Sequence, residues 1–187
     1  PLPNLEFKFI CANSLVYLDK HGQQNLALDG DNKLENEMID IRDKYFNATS
    51  RNGKKKLKDR FSQLLVQKNQ GVLFGKSRRR EQIESYHPFD SENISTFFDA
   101  EFMFGTKGFD LVIGNPPYVS TKATTTQMKD ELESSYGFAD DLYSHFYFRG
   151  LSLCKSLGSL SYITSKTFWT IQTKKNVREL LLNNNLI

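Results

Sequence analysis

The sequence is short of the residues that staple a fold, ligate metals or enter a bilayer. It has two cysteines, Cys11 and Cys154. They lie far apart among apolar neighbours, which disfavours a disulfide or a thiolate metal site and predicts buried free thiols. Its three histidines, His21, His87 and His145, have no ligand spacing and no cluster of cysteines or carboxylates around them, so no metal and no histidine chemistry are expected. No apolar run approaches the roughly 20 residues needed to cross a bilayer. Pro1-Leu2-Pro3-Asn4 lacks the basic and apolar regions of a secretory signal, so a cytoplasmic protein without a membrane partner is expected. No initiator methionine opens the chain, and the helical pattern from Arg178 runs straight into an apolar end at Ile187. The chain therefore reads as a segment of a longer polypeptide.

What is present is a globular composition, 39% apolar and 25% charged over 187 residues, enough for one core of ordinary domain size. Leu5, Phe7, Phe9 and Cys11 alternate with Glu6, Lys8 and Ile10, which predicts a strand stopping at Ala12-Asn13-Ser14. The period then changes. Leu34, Met38, Ile41 and Tyr45 recur at helical spacing, and Leu57, Phe61, Leu64 and Leu65 do so again after the polar break from Asn47 to Gly53. Two helices joined by a turn make a hairpin, placed at 32–82.

That hairpin is basic. Between Arg51 and Glu81 there are eleven Lys or Arg against two acidic residues, while the whole chain carries only +3. Such an excess releases counterions from nucleic-acid phosphates, and it nominates Lys54, Lys55, Lys56, Arg78, Arg79 and Arg80 as DNA contacts. A solvated helix face is the other reading, because no base-reading motif accompanies the charge.

The sharpest local signal is Phe109-Asp110-Leu111-Val112-Ile113-Gly114, a short apolar run of the kind that fills a buried parallel strand. Asn115-Pro116-Pro117-Tyr118 follows at its carboxyl end, where open α/β sheets carry their ligand sites. Downstream, Asp140 or Asp141 can cap a helix with the stripe Tyr143, Phe146, Tyr147, Gly150, Leu151 and Cys154, ended by Gly158. Leu160, Tyr162 and Ile163 predict a further strand, and Val177, Leu180 and Leu181 a last helix. Strand, crossover helix, strand, helix is the rhythm of a parallel α/β sheet.

Asn-Pro-Pro-Tyr in that place suits one chemical problem. An exocyclic or amide nitrogen is a poor nucleophile because its lone pair is delocalised. Two acceptors aimed at its N–H bonds, the Asn115 side-chain carbonyl and the Pro116 main-chain carbonyl, favour a tetrahedral nitrogen and stabilise its growing positive charge. Two prolines fix φ twice, so the acceptors need no reorganisation. Tyr118 offers a flat face for a flipped base. Pro-Pro-Tyr alone would read as a rigid turn or a ligand for an aromatic groove; the strand and the asparagine before it are what raise the catalytic reading.

With these residues the chain resembles the amino-methyltransferases that carry a (D/N)PP(Y/F/W) signature, above all the N6-adenine DNA methyltransferases of large bacterial restriction-modification polypeptides. The resemblance runs through Phe109 to Val119 and through Asp141-Leu142-Tyr143 with Phe146 and Leu151 to Tyr162. It implies an α/β fold, an incomplete Rossmann-like sheet of a SAM-dependent methyltransferase with the basic helical hairpin as an insertion, so that residues 1–187 form part of a catalytic domain. It also implies S-adenosyl-L-methionine as cofactor, double-stranded DNA as partner, and cofactor contacts at Asn13, Asp141 and Tyr143. At Asn13 a simple turn or helix cap is the competing reading. The family's glycine-rich loop, its ribose-gripping acid, its second stacking aromatic and a target-recognition domain have no match. The cofactor site is therefore expected to be incomplete and the chain alone nearly inactive, with the rest of the parent polypeptide as its partner. Enzymes that methylate a glutamine amide in proteins, or RNA, share the motif and remain alternatives, as does a non-catalytic nucleic-acid-binding module.

Overall fold

The computed structural model describes residues 6–20, 29–68 and 77–184. They belong to two compact units, Pro1–Thr106 and Lys107–Ile187.

In the first unit the hairpin forms as expected. Helix α1 spans Asp29–Asn47 and α2 spans Arg51–Lys68. Leu34, Met38, Ile41 and Tyr45 on α1, with Phe61 and Leu64 on α2, are all buried, so the helical spacing identified the core face correctly. Ser50 holds the start of α2 by accepting a hydrogen bond from the Gly53 N–H. Within the bounds expected for the hairpin lies a third helix, α3 (Arg78–Glu84), capped by the Ser77 hydroxyl. Helix α4 (Ala100–Phe104) begins at the Asp99 carboxylate and ends at Gly105, whose φ of 70° is the left-handed cap that a glycine adopts without strain. The Arg42 guanidinium, 5% exposed, donates to the Glu101 and Phe102 carbonyls at that end of α4, where a cation is favoured.

The strand expected over Leu5 to Cys11 does not form; Leu5 itself lies outside the described residues. Residues 6–9 turn instead, and Phe7 takes a left-handed φ of 62°. For a phenylalanine such a backbone costs about 1–3 kcal/mol. Burial offsets this: Phe7 is 0% exposed, with ring centroids 4.9 Å from Phe89 and 5.3 Å from Tyr45. Pairing is confined to one parallel bridge, Ala12 to Ser95, among the described residues of this unit. Cys11, expected to be buried, is exposed beside that bridge, and Cys154 is half-buried.

The second unit carries the predicted rhythm. Strand β1 (Phe109–Gly114) is followed by a 3-10 turn at Thr121–Ala123, α5 (Thr126–Tyr136), α6 (Leu142–Leu153), β2 (Cys154–Tyr162), 3-10 turns at Lys166–Trp169 and Gln172–Lys174, and α7 (Lys175–Asn183). β1 and β2 pair in parallel, with Val112 opposite Leu160 and Gly114 opposite Tyr162. Gly150 lets α6 approach β2, since a Cβ there would fall 2.5 Å from the Tyr162 hydroxyl and 2.7 Å from a Leu160 methyl.

Two expectations change here, and one helix was not foreseen. Gly158 does not end the helix: α6 stops at Leu153, Cys154 opens β2, and Gly158 sits in a bulge where the register jumps from Phe109–Cys154 to Leu111–Ser159. β1 is covered on one side only. Leu111 and Ile113 are 54% and 72% exposed, because α6 packs on the face of Leu160 and Tyr162 and no second layer covers the opposite face among the described residues. Helix α5 was hidden in a polar stretch; the Thr125 hydroxyl caps it and Leu132 is its buried anchor.

Candidate active site

The Asn-Pro-Pro-Tyr segment leaves β1 at its carboxyl end and is tied down around its flanks. The Ile163 N–H donates to the Gly114 carbonyl at 3.2 Å, extending the ladder to the first loop residue. The Tyr118 hydroxyl donates to the Ile163 carbonyl at 3.0 Å while its ring stays 56% exposed. The Leu142 N–H, at the head of α6, donates to the Val119 carbonyl at 3.0 Å. Finally the Thr121 N–H and hydroxyl both donate to the Asp141 carboxylate, at 3.0 and 3.3 Å. Pro116 is buried and Asn115 is exposed. The Asn115 amide makes no hydrogen bond to a described residue, so its carbonyl is available to a substrate.

Behind the loop lies a polar cluster that the sequence did not advertise. The Lys174 ammonium, its side chain 4% exposed, donates to Asp140 at 2.5 Å and to Asp141 at 2.7 Å. It also stands 5.0 Å above the Tyr143 ring centre. Burial pushes the Asp141 carboxyl up, but the hydrogen bonds from Lys174 and Thr121 outweigh it and hold the group below its usual range. Burial pushes Lys174 down, and its two carboxylate partners more than reverse this, leaving it above the usual lysine value. His145 is fully buried, stacked 4.5 Å from Phe138 at 14°, with Nε2 accepting from the Asp140 N–H. Burial takes its pKa down to about 4, so the imidazole is neutral, with its proton on the partnerless Nδ1. A cavity of about 610 Å³ opens on this side, lined by residues including Ser120, Thr121, Asp140, Asp141 and Lys174.

A family model described as "Eco57I restriction-modification methylase" matches residues 6–187. The chain belongs to the Eco57I restriction-modification methylase family. A curated relative, the "Type II restriction enzyme and methyltransferase RM.Eco57I" of Escherichia coli, is 29% identical over 127 residues, covering 60% of this chain and 11% of that protein. The chain thus spans about a tenth of the length of the relative it matches. No solved structure matches it significantly. The family is described as one of restriction-modification methylases, which are generally SAM-dependent.

The residues nominated for SAM each have neighbours within their own unit of the chain. Asp141 is engaged by Lys174 and Thr121, and Tyr143 is buried beneath the Lys174 ammonium. Asn13 is exposed, but its side-chain oxygen accepts from the Leu15 N–H at 3.2 Å, which is the turn reading of that residue. Asp140 and Asp141 also do not cap α6 in the usual way; neither carboxylate accepts from an α6 backbone N–H, and Asp140 accepts from the Ser144 hydroxyl instead. Of the basic residues, Arg79 grips Glu35 through two nitrogens, at 2.5 and 3.2 Å, and donates to the Asp19 carbonyl. Arg80 pairs with Glu84 at 3.0 Å, each side chain under one-fifth exposed. Arg78 is exposed on the same helix. Lys54, Lys55 and Lys56 lie on the first turns of α2.

Lys174, Thr121 and His145 were missed by pattern reading. For Lys174 the signal existed: as the residue just before α7 it lies three residues before buried Val177 and seven before Leu181, in line with that helix's packed side.

Proposed function

We propose that the chain is part of the catalytic domain of a DNA methyltransferase that transfers a methyl group from SAM to the exocyclic N6 of an extruded adenine, within a restriction-modification or phage-defence system. The observation that supports this most is the tethered Asn-Pro-Pro-Tyr loop, which leaves Asn115 exposed and unengaged beside a tyrosine ring pinned at its hydroxyl. In this reading the chain supplies the acceptor side of the reaction. The Asn115 and Pro116 carbonyls accept from the two N–H bonds of the adenine amine, and this localises the nitrogen lone pair. Tyr118 stacks on the base, a contact worth about 1–3 kcal/mol. Bound SAM supplies an electrophilic methyl, and its contacts come from other parts of the parent polypeptide. The 187 residues by themselves then turn over little or no DNA, since the sequence has no Gly-x-Gly turn after a strand.

The test is Asn115→Ala in the full-length protein, with labelled methyl transfer to adenine-containing duplex and duplex binding measured side by side. Methylation falls by about 10²–10³, the cost of removing one preorganised polar group at a developing charge, while binding is retained. Unchanged methylation removes the catalytic reading and leaves a nucleic-acid-binding module. Transfer to a protein glutamine or to RNA, with none to duplex DNA, moves the substrate class.

A further inference from the structure

The start of α2 and the turn before it border an open cleft of about 770 Å³ that carries four cations, Arg51, Lys54, Lys55 and Lys58. Their spacing is i, i+3, i+4, i+7, which places them along one side of a single helix. Lys56, in the middle of the same run, is exposed and does not line the cleft. Two of the ammonium groups rest on aromatic rings: Lys54 is 5.7 Å from the Tyr45 centroid and Lys58 is 5.4 Å from that of Phe89. Both rings belong to the packed aromatic core of this unit, so these cations are held over a rigid floor.

The carboxylate that lines the cleft, Glu6, accepts a 2.6 Å hydrogen bond from the Tyr45 hydroxyl. Among the described residues none of the four cations is held in an ion pair. Their neighbours differ: Arg60, Arg79 and Arg80 are matched by Glu37, Glu35 and Glu84. The positive end of the α2 dipole adds to the field. From Arg51 to Lys58 the helix rises by about 10 Å, enough to reach more than one phosphate of a strand.

We infer that this cleft is a binding site for the phosphodiester backbone of duplex DNA, made by Arg51, Lys54, Lys55 and Lys58 rather than by the arginines of α3. The inference rests on the reading of the protein as a DNA methyltransferase and names the part that grips the substrate's backbone without reading its sequence.

The experiment uses the full-length protein and measures duplex affinity over a series of KCl concentrations. Replacing all four cations with glutamine lowers the slope of log K against log salt by about 3, near 0.9 for each phosphate no longer neutralised. The single change Lys55→Gln, on an exposed helix position, lowers it by about 1 and covers the case in which the fourfold variant does not fold. Lys56→Gln leaves the slope where it was. An unchanged slope in the Lys55→Gln and fourfold variants overturns the cleft, as does an equal loss in Lys56→Gln. Absence of DNA methylation by the unaltered protein sinks the parent reading instead, and that readout is independent of the salt slopes.

Discussion

Replacing Lys174 with methionine tests the physical basis of the loop's rigidity. The substitution keeps the length and apolar stem of the side chain and removes the ammonium that bridges Asp140 and Asp141. Two neighbouring carboxylates are then left without their cation. Breaking a buried pair by removing one partner costs about 3–5 kcal/mol. Here the lysine is 4% exposed but the two carboxylates are 18% and 30% exposed, so water recovers part of the loss and the lower end, about 3 kcal/mol, is expected. At roughly 1–3 kcal/mol per molar urea this moves the unfolding midpoint down by about 1–3 M. The lone tryptophan, Trp169, belongs to the same unit and reports the transition by fluorescence.

The pH dependence of that shift separates charge from packing. In the unaltered protein Asp141 titrates below its usual value, so its stabilisation is present above the ordinary carboxylate range and is lost as pH falls through the lowered folded-state value. Lys174 titrates above its usual value, so its share is complete at neutral pH and is lost only as pH rises past the ordinary lysine range. In Lys174→Met the unpaired carboxylates are relieved by protonation, and the gap between variant and parent midpoints narrows from pH 7 to pH 4. A midpoint within about 0.3 M of the parent's, or a gap independent of pH, refutes the assignment of a stabilising buried ion pair.

Other outcomes follow from the same geometry. Tyr118→Phe keeps the ring and removes the 3.0 Å bond to Ile163, so methylation by the full-length protein falls only a few-fold; Tyr118→Ala removes the stacking face and weakens productive base binding by about 5- to 150-fold, corresponding to about 1–3 kcal/mol. Equal losses in the two variants would make the hydroxyl, not the ring, the working part. His145 is neutral in the folded protein with a pKa of about 4 against an ordinary 6.5, so the stability it confers is present above pH 6.5 and falls away by about 3 kcal/mol towards pH 4. His145→Phe flattens the urea midpoint over that window; a parent midpoint already flat between pH 7 and 4.5 contradicts a neutral buried imidazole.

The position of the loop after β1 was legible because each of its residues has a restricted use. An apolar run followed by Asn-Pro-Pro-Tyr admits few structures, and the parallel β1–α6–β2 unit that presents it emerged from spacing alone. The core faces of α1 and α2 were legible for the same reason, as Leu34, Met38, Ile41 and Tyr45 repeat without interruption. What failed was reading that needs tertiary partners. The alternation around Phe7 is a good strand pattern, but five aromatic side chains from distant positions claim that ring, and the backbone turns to deliver it. Asp141 and Arg79 were chemically suitable for ligands, yet a carboxylate or guanidinium says nothing in sequence about the partner that consumes it. Lys174 and Glu35 lie 33 and 44 residues away from them.

The position of those consumed charges bears on how the loop works. Holding an amine's N–H bonds, as proposed above, calls for acceptors whose lone pairs are not already used by the protein. Among the described residues, the carboxylate that touches the loop's flank is Asp141. It grips Thr121, beyond the motif, and its charge is balanced by Lys174. The tethers end on Gly114, Tyr118, Val119 and Thr121 and leave the Asn115 amide unengaged. Stiffness is therefore built at the ends of the segment and by the two prolines within it, while the Asn115 side chain is left free to act as the proposed acceptor. A loop whose asparagine were itself tied down would be equally rigid and chemically idle. The placement of the tethers thus connects the buried ion pair at the head of α7 to the reactivity expected at Asn115.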